Sequence, residues 1–138
     1  MAEIVLVLDS RLQEIAPLAD RVDEFCGSYD LPPQFAFQFN ICLEEVLTNI
    51  IQHGLGGRAG RAITVRVALE GPLVTAEVVD DAPAFDPLAF EEPDIDAELD
   101  EREIGGLGVH LLRGMMDEVS YARISGHNRL RFSKRLPD

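Results

Sequence analysis

The chain has 138 residues, with 25 acids against 12 bases and a formal net charge of −13. Such a surface repels phosphate backbones and anionic bilayers, which argues against a direct nucleic-acid or membrane-surface role and favours a basic protein partner. Any bound nucleotide must then be held locally, by a magnesium ion, a helix N-terminus or backbone amides.

The length suits one domain, residues 1–138, with a self-sufficient core. Cys26 and Cys42 sit among apolar residues of expected helices and read as buried free thiols, the usage of a reducing compartment. Met1–Leu8 has no basic leader region, and no run approaches the ~20 apolar residues that span a bilayer. The expected location is the cytoplasm.

Glu3–Leu8 is apolar and β-branched and predicts a strand, after which Asp9 or Ser10 is placed to cap a helix. Leu12, Ile15, Leu18, Val22 and Phe25 recur at helical spacing and predict an amphipathic helix over Arg11–Cys26, kinked or split by Pro17. Pro32-Pro33 leads into a second helix, Pro33 to about Gly54, with Pro33 in its first turn.

That second helix organises the chain. Leu43, Val46, Leu47 and Ile50 share one face, while Glu45, Asn49 and His53, each four residues after the last, share another turned away from the core. An acid and a carboxamide one turn apart on so apolar a helix stand out. His53, at the helix end beside Gly54, is expected to be structural.

Gly56–Gly60 reads as a flexible turn. Ala62–Leu69 and Leu73–Val79, joined through Gly71-Pro72, predict a hairpin. Asp80–Ile104 is rich in acids and prolines without a period, the pattern of a long functional loop. Gly105-Gly106-Leu107-Gly108 opens a third helix, and Glu118–Ile124 and Arg129–Leu136 predict a closing hairpin with Gly126-His127-Asn128 as its turn. This order predicts an α+β fold, a two-layer sandwich of mostly antiparallel sheet with helices on one face.

Three patches converge on one chemistry. Glu45 and Asn49 are the first. Asp80, where a strand ends, can accept a hydrogen bond from an exocyclic amine. The glycines at a helix start let backbone N–H groups approach a phosphate, which the helix dipole favours.

The order E-x-x-x-N, strand-end D, long loop and G-x-G helix resembles the N, G1 and G2 boxes of the GHKL ATPase superfamily, which includes gyrase, heat-shock chaperone ATPases and histidine kinases. E-E-V-L-T-N-I-I-Q-H-G, G-G-L-G-V-H-L-L-R-G-M-M-D-E-V and the final hairpin are similar to its small RsbW-like branch of anti-sigma factors that are also serine protein kinases. The resemblance implies a Bergerat ATP-binding fold. It implies Asn49 as the Mg²⁺ ligand beside ATP, Glu45 as general base and Asp80 on adenine. Ala82, Ala84, Gly106, Leu107 and Gly108 would line the nucleotide under a lid of Ala82–Ile104. The implied partners are an anti-anti-sigma factor of STAS type, a sigma factor and a second copy of the chain. The G1 box departs from D-x-G-x-G in having Ala82 and Ala84 at its glycine positions. That departure is the argument for an alternative reading, a partner-switching module of the same fold that binds ATP weakly or not at all.

Overall fold

The structure is a computed structural model that describes residues 1–84 and 106–137, with the backbone alone for 106–110. The predicted lid, Ala82–Ile104, therefore lies outside the described residues beyond Ala84.

Strand β1 (Ala2–Asp9) leads through a 3₁₀ turn (Leu12–Glu14) into helix α1 (Ile15–Ser28). Pro17 explains the split: it belongs in a first helical turn, where no N–H partner is needed, so the regular helix starts at Ile15 rather than Arg11. Leu18, Val22, Phe25 and Cys26 form its buried stripe. Asp30, in a left-handed conformation at φ 54°, turns the chain toward Pro32.

Helix α2 (Pro33–Asn49) begins with Pro33 as expected and buries Phe35, Phe39, Cys42, Leu43, Val46 and Leu47. The α-helix ends at Asn49, five residues before the predicted end. Ile50–Gly54 winds into a wider π-type turn, in which the Leu55 N–H donates to the Ile50 carbonyl at 2.7 Å.

Strands β2 (Ala62–Glu70) and β3 (Leu73–Asp80) form the predicted hairpin. Helix α3 (Gly106–Met115) precedes the hairpin of β4 (Glu118–Ile124) and β5 (His127–Arg135). The Lys134 ammonium donates to the Met115 carbonyl at the C-terminal end of α3, 3.1 Å away, where a cation satisfies an orphan acceptor.

The five strands run β1-β2-β3-β5-β4, each pair antiparallel. Along β2, Ile63, Val65 and Val67 are buried, and along β3, Val74, Ala76, Val78 and Asp80. This period-2 alternation means one face of the sheet meets the helices. Phe39 of α2 and Phe132 of β5 stack across that junction with ring centroids 5.9 Å apart, both fully buried. The other face carries cross-strand ion pairs, Glu3 with Arg66 and Glu77 with Arg131. Both cysteines are buried and free. Among the described residues, no helix is long and apolar enough to cross a membrane.

Two local expectations are corrected. Asp9 and Ser10 cap no helix. The Asp9 carboxylate instead accepts the Gly60 N–H at 2.7 Å, while the Ser10 hydroxyl donates to the Arg58 carbonyl at 2.6 Å and accepts the Arg61 N–H at 3.1 Å. These bonds tie the glycine-rich segment before β2 to the end of β1, so it is held rather than loose. In the last hairpin the turn is Ser125-Gly126, both at positive φ (51° and 79°), the two-residue geometry that matches strand twist. Asn128 therefore lies within β5, opposite Asp80.

Candidate nucleotide site

Glu45 and Asn49 lie one turn apart on α2, both half-buried, as their spacing demands. Asn49 is the last α-helical residue before the π-type turn. Single π-type turns recur at functional sites because they re-aim the side chains that follow them. His53 is exposed and stands on the wall of a cleft of about 520 Å³.

Gly54, Ala82 and Pro83 also line that cleft, which brings the end of α2 against the turn after β3. Arg58, Arg61 and Arg123 stand at it as well. Three guanidiniums at one concavity give a strongly acidic chain a local positive field. Arg61 is partly neutralised by Asp81, 2.8 Å away, and its hydrogen bond holds the Asp81 carboxyl below the usual carboxylate range.

Asp80 closes β3 and is only 4% exposed. Burial pushes its carboxyl pKa up, against hydrogen bonds that favour the ion. Its Oδ1 accepts the Ala82 N–H at 2.9 Å and the Asn128 amide at 3.0 Å. The Asn128 amide also donates to the carbonyls of Ala82 (3.2 Å) and Pro83 (3.1 Å). Asn128 Oδ1 in turn accepts from the Tyr121 hydroxyl and from Arg123 Nη1 at 3.1 Å. Arg123 Nη1 reaches the Ala82 carbonyl too, at 2.8 Å.

Ala82 and Ala84 stand where the G1 glycines are expected, and neither has a positive φ. The alanines therefore carry no left-handed backbone strain. Ala82 is buried and Ala84 exposed. Gly106, Leu107 and Gly108 form the first turn of α3, which packs against α2. That places a helix N-terminus in the same layer as Glu45 and Asn49.

A carboxamide oxygen such as that of Asn49 is the kind of hard donor that a magnesium ion accepts beside water and phosphate oxygens.

Sequence reasoning missed Tyr121, Arg123 and Asn128. The available signal was Ser125-Gly126, a two-residue turn dipeptide: starting β5 at His127 puts Asn128 level with Asp80. The β3–β5 pairing skips β4 in sequence, and no local pattern announces it.

An antiparallel sheet covered by α2 and α3, with a buried acid closing β3 and a charged cleft lined by the turn that follows it, is the architecture of a two-layer α+β domain. The chain belongs to the histidine kinase-like ATPase domain family, whose model matches residues 8–134. It is 31% identical over 94 residues to the serine/threonine-protein kinase BtrW of Bordetella bronchiseptica, an alignment covering 68% of this chain and 66% of that protein. The RsbU and RsbW domains of a Mycobacterium tuberculosis protein superpose with a TM-score of 0.71 at 15% identity, over 99% of this chain and 33% of that one. A blue-light activated histidine kinase of Erythrobacter litoralis superposes with a TM-score of 0.54 at 23% identity, over 78% of this chain and 32% of that one. At those identities the two structures speak for the fold. The chain spans just under two-thirds of the Bordetella kinase and about a third of each structural neighbour.

Proposed function

We propose that this chain binds Mg-ATP, phosphorylates a serine or threonine on an anti-anti-sigma partner of STAS type, and sequesters a sigma factor when that partner is phosphorylated. The observation that carries the reading is Glu45 and Asn49 one turn apart on α2, just before the π-type turn whose Gly54 lines one cleft with Ala82 and Pro83. Similarity to a serine/threonine-protein kinase supports the transfer activity, and the fold shared with an RsbW domain agrees with it.

In this reading Asn49 would hold a magnesium ion, which would supply charge neutralisation for the phosphates. The N-terminus of α3, with Gly106, Leu107 and Gly108, faces their charge, and Asp80 accepts the adenine 6-amino group. Glu45 takes the proton from the attacking hydroxyl. The hydroxyl oxygen bonds to the γ-phosphorus as the bond to the β–γ bridging oxygen breaks, and ADP leaves with the electron pair. Positioning and charge stabilisation supply most of the catalysis.

Calorimetry with Mg-ATP, followed by labelling of the captured partner with γ-labelled ATP, tests this. Asn49→Ala should abolish Mg-ATP binding. Glu45→Ala should keep binding and lose transfer. Unchanged ATP affinity in the Asn49 variant removes the metal assignment, and a Glu45 variant that still labels its partner removes the base.

A further inference from the structure

We infer that Asn128, braced by Arg123 and Tyr121, is a positioning residue that makes Asp80 select a 6-aminopurine over a 6-oxopurine. The inference rests on the reading of Asp80 as the contact for the nucleotide base.

It follows from the direction of the hydrogen bonds. A guanidinium only donates. Arg123 Nη1 lies 3.1 Å from Asn128 Oδ1, and the Tyr121 hydroxyl points to the same oxygen, so that oxygen must face them as an acceptor. The amide nitrogen of Asn128 is thereby turned toward Asp80, and its hydrogens go to Asp80 Oδ1 and to the carbonyls of Ala82 and Pro83. Asp80 Oδ1 also takes the Ala82 N–H at 2.9 Å. Two donors on that oxygen favour the carboxylate ion, whose other oxygen also accepts.

Among the described residues no donor reaches Asp80 Oδ2, which is left for a ligand. A base meeting that oxygen must itself donate. The 6-amino group of adenine does, whereas a 6-oxo group sets two lone pairs against each other. If Asn128 were free to flip, its oxygen would face Asp80 Oδ1 and the carboxylate ion would lose that donor. The free oxygen would become a weaker acceptor, and the preference for a 6-amino group would weaken. The polarity of the whole relay is thus set by Arg123, an exposed residue on β4.

Titration calorimetry with Mg-ATP and Mg-ITP, which differ at the 6-position, tests this on the intact chain. Wild type should prefer ATP by about tenfold or more, the penalty of a buried polar mismatch. Arg123→Leu with Tyr121→Phe should bring the ratio to within about threefold. Arg123→Lys, still donor-only, should keep it. Tyr121→Phe alone removes one hydroxyl, leaves the fold intact, and should lower the ratio part of the way. A double variant that weakens ATP and ITP equally shows a mere structural anchor and overturns the inference, as does a wild type that binds both alike. A wild type that binds neither overturns the reading of the site as well.

Discussion

Ala82 and Gly54 divide one space between them. A Cβ built on Gly54 would come within 3.2 Å of the Ala82 methyl, closer than such carbons normally approach. The methyl that replaces the expected glycine after Asp80 is thus housed by a glycine at the end of α2. Overpacking by a methyl costs about 1–3 kcal/mol, and the lost glycine freedom returns about 0.5–1. Gly54→Ala should therefore destabilise by about 1 kcal/mol, and adding Ala82→Gly should recover most of that loss. Urea unfolding of the four proteins of the cycle measures the coupling; strictly additive losses would show that the two sites ignore each other.

Asp80 carries a stability cost at neutral pH. Its folded pKa is raised by burial. A carboxyl so shifted costs stability above its folded pKa, and the cost fades as pH falls through that value toward the unfolded pKa of ~3.9. Asp80→Asn should therefore melt at or above the parent temperature at pH 7, and the gap should narrow in acid. The same variant should lose ATP. Melting curves across pH, set beside calorimetry, separate the two effects, and a variant that melts lower at pH 7 contradicts the argument.

Phe132 is fully buried where β5 meets α2. Phe132→Ala opens a cavity at the centre of the core and should cost about 3–5 kcal/mol. The denaturation midpoint measures it; a loss below about 1 kcal/mol would mean the core collapses around the gap.

The Cys42 thiol is pushed up to about 11, first by burial and then by the Glu45 charge. Cys26 is raised for the same first reason. At pH 8 neither should react with iodoacetamide in the folded protein, and both should react in urea. Intact-mass measurement gives the count. Rapid native labelling of Cys42 would mean α2 opens locally.

The helices and hairpins were legible because their periods are local. Phe35, Phe39, Leu43 and Val46 announce a buried stripe on α2, and Ile63, Val65 and Val67 a half-buried strand. The order of Glu45, Asn49 and Asp80 along the chain carried the resemblance to the family. What was not legible is non-local. The Asn128–Asp80 pair depends on β5 inserting between β3 and β4, and on one residue of register in a tight turn. Asp9 and Ser10 carry good capping side chains, but the open N–H groups of the segment before β2 lay closer. The π-type turn at Ile50–Gly54 leaves the apolar pattern of its helix unbroken, so periodicity could not reveal it.

The sheet turns one face away from the helices, and Ser120 lies on it, exposed and paired with Arg131 of β5. With both native thiols sealed, a cysteine placed there would be the single attachment point for a maleimide dye. A fluorophore on that side could follow complex assembly in real time without touching the chemistry on the other.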